Sequence, residues 1–456
     1  MSHILCITSG LTGILNASFE LSNRLINAGH SCTLASPLDV ASKVKLQGFN
    51  YLQLNPVNYD PAPEIKLQNS RRALLKIKRW LYKLSHSKSR REEALKALGM
   101  NDFMSKVEGE NPELIIIDIE LHEHIMTLVT SNYKVILLSQ WFSLWNRKGL
   151  PSLTDSTIPG NGIKGSAVGL SVRWMQIVIY RWLIFMKKKI LTVGTDRRSI
   201  LHLYARRINF PLRYIRQNFW PGPFSYDVLP VISMTSKEMD FPHVERKNHT
   251  YVGPMVYEQR KNDGIRESDI LKIVELLAEK KKNNKKLIYC SVSTFLPGDI
   301  SFLKKVIKAF ESREEWMLII GLGGLLGSDL FSNLPANVHP FRQVPQLQVL
   351  AEADLSINHG GIHTINECVH FEVPMLIYSG KKSDQNGCAA RMHYHGLGMM
   401  ADKDVDSVEE IERKIEKVLS SKNIMFNLVN INICNGLYKK KNVILNLADS
   451  FLTKSI

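Results

Sequence analysis

At 456 residues the chain is long enough for two or three domains with ample buried core. Its 44% hydrophobic and 22% charged content excludes the disordered class. The formal charge of +16 arrives without a zinc-finger, RNP-like or basic-zipper pattern, so nucleic acid is set aside as a partner; a contact with an anionic membrane or a generally basic solvated surface remains.

The cysteines at 6, 32, 290, 368, 388 and 434 form no CxxC pair and no metal-ligand cluster, and read as reduced thiols of a cytosolic protein. The N-terminus, MSHILCITSG, lacks a basic region followed by a long apolar run and reads as a first strand rather than a signal peptide. No uncharged apolar run reaches about eighteen residues, so a spanning helix is not expected.

Taken in order, Ile4–Thr8 is a short β-rich run followed by a glycine-containing turn. A helix is expected over Ala17–Ala28, stopped by Gly29, and a strand over Ser31–Ala35. This βαβ start predicts a doubly wound sheet with a ligand crevice at the strand C-termini. Between Lys66 and Arg91, basic residues alternate with Leu, Ile, Trp and Tyr, either as an amphipathic helix on anionic lipid or as a solvated helix on an acceptor domain. The continuous apolar run Glu113–Asp118 predicts a buried parallel strand. Asp118, Glu120, His122, Glu123 and His124 gather at its end; HxH without further ligands is a poor metal site, and no metal is assigned.

Val172–Lys189 is the most apolar helical stretch, interrupted by Arg173 and Arg181 and closed by three lysines. Its length and charge are expected to prevent spanning, which leaves an interfacial helix, the wall of a greasy pocket or a buried helix. Ser268–Lys282 reads as a helix with Ser268 as N-cap. Leu287–Thr294 and Trp316–Ile320 read as strands. The glycines at 321, 323 and 324 hint at a dinucleotide loop, but Leu326 stands where its third glycine is needed, so NAD is discounted.

The stretch Asn358–Gly398 carries the most chemistry. Gly360 and Gly361 permit close backbone approach, and the helix that follows, through about Phe371, aims free N–H groups at an anion. His359 adds a donor and Thr364 a hydroxyl; Glu367, one turn beyond His363, suits two neighbouring hydroxyls. After the strand Val373–Tyr378, Asp384 and Gln385 form a polar pair suited to sugar hydroxyls.

The order HGG-x-x-T-x-x-E, VPM, DQ, AAR, GLG resembles the donor-binding signature of UDP-glycosyltransferases, glycosyltransferase family 1, with bacterial macrolide and carotenoid glycosyltransferases as the likest branch. The resemblance is strong from about 287 to 400 and weak before 250. It implies an α/β protein of GT-B fold, two Rossmann-like doubly wound domains facing a central cleft. The acceptor domain would span 1–228, a linker region 229–255, the nucleotide-sugar domain 256–435, and a C-terminal helix 436–456 would pack back on the first domain. The implied activity is inverting transfer of a hexose from a UDP-sugar to a hydrophobic small-molecule or lipid acceptor. No cofactor or metal would be needed, and the enzyme would be cytoplasmic, peripheral on the inner membrane surface. The donor contacts so implied are Ser293, Thr294, Val344, Gln346, His359, Gly360, Gly361, His363, Thr364, Glu367, Asp384 and Gln385.

The sequence departs from that family in four places. Ile14 stands where the family has its catalytic histidine, and isoleucine cannot accept a proton. Asp118, which matches the carboxylate that orients that histidine, or Glu120 is therefore expected to act as base, with His122 as the further alternative. Ser293 replaces a glycine in S-x-G-T, Gln343 replaces the aromatic that stacks on the base, and Cys388 replaces an asparagine. The competing readings are a homologue that has lost catalysis and serves as a nucleotide-sugar-binding helper, and a nucleotide-sugar epimerase or hydrolase.

Overall fold

The computed structural model describes residues 1–57, 73–216, 222–291, 300–324, 331, 333–381 and 383–453. Two parallel sheets organise the chain. The first holds β1 (His3–Ile7), β2 (Ser31–Ser36), β3 (Asn50–Gln53), β4 (Leu114–Asp118), β5 (Val135–Ser139), β8 (Val231–Ser233) and β9 (His249–Tyr251), in the order β3-β2-β1-β4-β5-β8-β9. A small antiparallel ribbon of β6 (Ile215–Arg216) and β7 (Ser225–Tyr226) precedes β8. The second sheet holds β10 (Lys286–Ser291), β11 (Trp316–Gly321), β12 (Val338–Phe341), β13 (Leu355–Asn358), β14 (Met375–Tyr378) and β15 (Gly398–Ala401), in the order β12-β11-β10-β13-β14-β15.

β1, β4 and β5 are buried nearly throughout, as are β10, β11, β13 and β14, which explains their unbroken runs of Ile, Leu and Val. Strand order reverses between β1 and β4 in one sheet and between β10 and β13 in the other. Ligand crevices in such sheets open at those points, beyond the strand C-termini.

Several expected boundaries move. The first helix runs Thr12–Asn27 and includes Ile14, which is buried in the core. The third-quarter helix runs Glu267–Lys282 with Arg266 as N-cap, so Ser268 lies inside it and caps nothing. The 229–255 stretch expected as a linker region adds β8 and β9 to the first sheet, β8 pairing with β5 and β9 with β8. The chain's last helix, Val443–Thr453, lies against the first sheet, with Ile444 and Ala448 in its core and the Lys134 ammonium on the Leu452 carbonyl at 3.0 Å.

The apolar stretch expected over Val172–Lys189 is a longer helix, Ala167–Thr192, capped by Ser166 accepting from the Gly169 N–H at 3.1 Å. Contrary to expectation, its 26 residues are long and apolar enough to cross a membrane by length and composition alone. It is not a buried helix either: Leu170 and Trp174 are its only buried residues. All six cysteines are free.

Candidate active site

The loops after β1, β4 and β5 meet the loops and helices after β13 and β14. Contacts across this seam are direct. His363 Nε2 lies 2.8 Å from Gln140 Oε1, and Asn366 Nδ2 donates to the Met234 carbonyl at 3.1 Å. A Cβ on Gly13 would stand 2.5 Å from His363 Cδ2, so only glycine admits the ring there. The Gly387 N–H donates to the Leu153 carbonyl at 3.0 Å. Beneath these contacts Arg391 pairs with Asp240 at 2.6 Å, both fully buried.

On the first-sheet side, Asp118 closes β4. Its carboxylate accepts from the Ser9 N–H at 3.2 Å and the Glu120 N–H at 3.1 Å, fixing the loop at the reversal point of the sheet. Burial raises its pKa, against those two N–H groups and Arg197. Glu120 projects from the same loop, its own carbonyl held by Arg197 Nη2 at 2.9 Å. Burial raises its pKa to about 7, helped by the Asp118 and Asp384 charges and opposed by Arg197. Glu120 and Asp384, from opposite sheets, are thus close enough to feel one another.

His122 is not in this group. It begins the His122–Thr130 helix but is fully buried, with Nδ1 3.2 Å from Tyr226 Oη, Nε2 3.2 Å from the Gly222 carbonyl and its ring beside Phe224. Burial lowers its pKa to about 3, with Arg197 assisting. Both nitrogens are occupied inside an aromatic cluster, which removes His122 from the candidate bases.

On the second-sheet side, Asn358 Oδ1 accepts from the Gly360 N–H at 2.9 Å and turns the chain after β13. Gly360 has φ +83°, and a Cβ there would press on Ile377 and the Gln385 carbonyl, so this turn requires glycine. Gly361 is the N-cap of the Ile362–His370 helix and has no side chain to cap it. The Ile362 N–H meets the Asp384 carboxylate, and those of His363 and Thr364 are left for a ligand. The His359 ring lies over Gly361, where a Cβ would be 2.7 Å from Nε2. Its Nδ1 is buried and makes no full hydrogen bond among the described residues; burial lowers the pKa, opposed by the Ser291 backbone. His359 is a neutral donor or acceptor at pH 7. The His363 pKa is lowered to about 4, by burial and then by Arg260.

Glu367 is buried on the next turn. One oxygen accepts from Arg260 Nη1 at 2.9 Å and the other from Gln346 Nε2, whose Oε1 accepts from Tyr289 Oη at 3.2 Å. Val344, in the loop after β12, packs beside Gly321 at the end of β11. Arg260, Glu367, Gln346 and Tyr289 form one polar network along the second-sheet crevice. Asp384, the N-cap of the Gln385–Tyr394 helix, has its pKa raised to about 6 by burial, with N–H groups and the Cys388 thiol opposing. Gln385 turns its Oε1 back onto the Gly380 N–H at 3.0 Å. Ser293 and Thr294 lie outside the described residues.

Gln140, Arg197, Asp240 and Arg260 belong to the site and are not evident from sequence. Each is a single polar residue whose partner lies far along the chain, and no local pattern marks it. Among the described residues, no group of three or more His, Cys, Asp or Glu could hold a metal ion.

Residues 327–434 match the glycosyltransferase family 28 C-terminal domain. The NDP-glycosyltransferase YjiC of Bacillus subtilis is 27% identical over 181 residues, which is 40% of this chain and 42% of that protein. The zeaxanthin glucosyltransferase of Pantoea ananas is 28% identical over 142 residues, 30% of this chain and 32% of that protein. The chain thus spans about two-fifths or less of the length of these curated relatives. The solved structures reach further. The kitacinnamycin glycosyltransferase has a TM-score of 0.66 at 17% identity, over 99% of both chains. VinC, solved in complex with dTDP, has a TM-score of 0.60 at 13% identity, over 98% of this chain and 100% of its own. The chain has the GT-B fold of these solved structures, and its residues 327–434 resemble a glycosyltransferase C-terminal domain.

Proposed function

We propose that this protein transfers a sugar, a hexose by its likeness to the glucosyltransferases, from a nucleoside-diphosphate sugar to a hydroxyl of a hydrophobic small molecule or lipid, with inversion. The observation that carries the reading is Glu120 on the loop after β4, whose carboxyl burial raises to about pKa 7, with Asp118 adding to the shift, while the Ile362–His370 helix begins on the second-sheet side with no side chain on its N-cap residue. A group with pKa near the working pH is matched to removing a proton from an alcohol.

In this mechanism Glu120 takes the acceptor proton as the hydroxyl oxygen attacks the anomeric carbon. The bond from that carbon to the diphosphate oxygen breaks on the opposite face, and its electron pair leaves with the diphosphate. The helix beginning at Ile362, with the neutral His359 ring beside it, stabilises the charge that develops there. Asp118 positions Glu120 by holding its N–H, and Asp384 orients the sugar. Arg260, Gln346 and Glu367 hold the nucleoside, with Glu367 accepting ribose hydroxyls once Arg260 or Gln346 yields an oxygen. No metal is required, because the leaving charge meets backbone N–H groups.

The acceptor would be met at the inner surface of a membrane, where hydrophobic hydroxyl compounds concentrate. UDP is the first donor base to test and dTDP the second, given the dTDP-bound relative. The test measures diphosphate release from UDP-glucose and dTDP-glucose, with and without a lipid extract, and follows the extract by mass spectrometry. Extract-dependent release together with a hexose adduct supports transfer. Release that ignores the extract indicates a hydrolase, and binding without release from any donor indicates a nucleotide-sugar-binding helper.

A further inference from the structure

The Ala167–Thr192 helix lies on the surface of the protein, with Leu170 and Trp174 alone buried along it. Val172, Met175, Ile179, Trp182, Leu183 and Ile190 fall within about 100° of one another around the helix, so they share one face, and all six are exposed. From Val172 to Ile190 this stripe runs on the order of 27 Å at the usual rise of an α-helix. The Ala73–Ser85 helix lies against its far end, where Trp80 Nε1 donates to the Ile190 carbonyl at 2.8 Å. It adds exposed Ile77, Leu81, Tyr82 and Leu84.

Charge frames this face with one sign. Neither helix contains an Asp or Glu. Lys78 and Arg79 on one, and Lys187, Lys188 and Lys189 on the other, are exposed. Both ends of the longer helix are tied to the same body. Trp174 Nε1 donates to the Leu150 carbonyl at 2.7 Å near its start, and Arg198 sits 4.0 Å over the Phe185 ring near its end. A helix anchored at both ends on one side of a protein can lie along a bilayer but cannot stand across it.

We propose that these two helices form a docking face for an anionic lipid bilayer, with the Ala167–Thr192 helix lying in the plane of the interface. The apolar stripe enters the acyl boundary, Tyr82, Tyr180 and Trp182 settle at headgroup level, and the lysines and arginines meet lipid phosphates. A second copy of the chain is the poorer occupant, because two acid-free faces would bring basic rims against each other. The use of this face rests on the proposed transfer to a hydrophobic acceptor, but docking itself is read without turnover.

The full chain would be sedimented with phosphatidylcholine vesicles made with and without phosphatidylglycerol. Capture by the anionic vesicles, reversed by high salt and by alkaline carbonate, is expected. The triple variant Met175→Glu, Ile179→Glu, Leu183→Glu changes exposed positions only and should weaken capture by about tenfold or more. Its circular dichroism should match that of the wild type. Should it fail to fold, the reversal Lys187→Glu, Lys188→Glu, Lys189→Glu should weaken capture of the anionic vesicles in the same direction. Four results overturn the proposal: no capture of the wild type, equal capture of a folded variant, carbonate-resistant retention, or a wild-type dimer in the absence of vesicles that the triple variant dissolves. Capture without hexose transfer would sink the transfer reading alone, and transfer without capture would sink docking alone.

Discussion

Arg391 Nε donates to Asp240 Oδ1 at 2.6 Å, and this fully buried pair ties the Gln385–Tyr394 helix of the second sheet to the chain that follows β8. Asp240 also accepts from the Ser143 N–H at 2.9 Å and Tyr251 Oη at 2.7 Å, while Phe142 and Phe241 enclose the guanidinium. Burial raises the Asp240 pKa, but Arg391, His243 and these donors outweigh it, so the net direction is down. Its native pKa lies below the unfolded one. The stability it adds is therefore present above the usual carboxylate range and is lost as pH falls through the native value. Arg391→Ala strands a buried carboxylate and should cost about 3–5 kcal/mol in denaturant unfolding. A loss below about 1 kcal/mol would show that the pair does not hold the halves together.

The Gly387 position makes a steric prediction. A Cβ there would sit 2.1 Å from the Leu153 carbonyl oxygen, which is backbone and cannot rotate away. Gly387→Ala should destabilise by about 1–3 kcal/mol and loosen the seam. Gly436, inside the Lys422–Lys440 helix, has nothing within 4 Å of its built Cβ. Gly436→Ala should instead stabilise by up to about 1 kcal/mol, through helix propensity alone. Thermal unfolding of the two variants side by side checks the contrast.

How much of this was legible in sequence follows from where the information lies. The unit from β13 through β14 was readable because two glycines, an apolar strand and a short helix are local patterns, and the Ile362–His370 helix sits where they place it. His122 misled because the Phe224 and Tyr226 rings that enclose it arrive about one hundred residues later. Gln140 and Arg260 carry no signal of their own; only the assembled crevice gives them partners. The Ala167–Thr192 helix reads as apolar in either setting, and sequence cannot say whether such a face is covered. Ile14 stood out in the sequence against the family pattern, and the structure places it in the apolar core of the first sheet.

His359 should contribute to nucleotide binding as a neutral hydrogen-bonding group. His359→Ala should weaken UDP binding by about tenfold, the scale of one hydrogen bond to a charged group. Because burial lowers its pKa, it stays neutral through the neutral range. Calorimetric UDP affinity between about pH 6.5 and 8 should then show no step at an ordinary histidine pKa that His359→Ala abolishes. Such a step would mean that a charged His359 holds the diphosphate.

Glu120 links activity to stability with opposite signs. As the base it must be ionised, so the transfer rate should rise with pH through about 7 and level off above. Glu120→Gln should lower turnover by about 10²–10⁴-fold and leave UDP binding nearly unchanged. Its native pKa is raised above that of the unfolded chain. Its protonated form therefore favours folding below the unfolded pKa, and that advantage is lost as pH rises through about 7. At pH 8 the wild type holds a buried carboxylate near Asp118 and Asp384, which Glu120→Gln removes. The variant should thus be more stable than wild type at pH 8, by on the order of 1–3 kcal/mol, with the difference shrinking toward pH 4. Urea unfolding at both pH values, paired with the transfer assay, reads the two effects on one protein. Full turnover in Glu120→Gln would move the base to Asp118. A turnover loss without the pH-dependent gain in stability would mean that Glu120 is not held near neutrality by its surroundings.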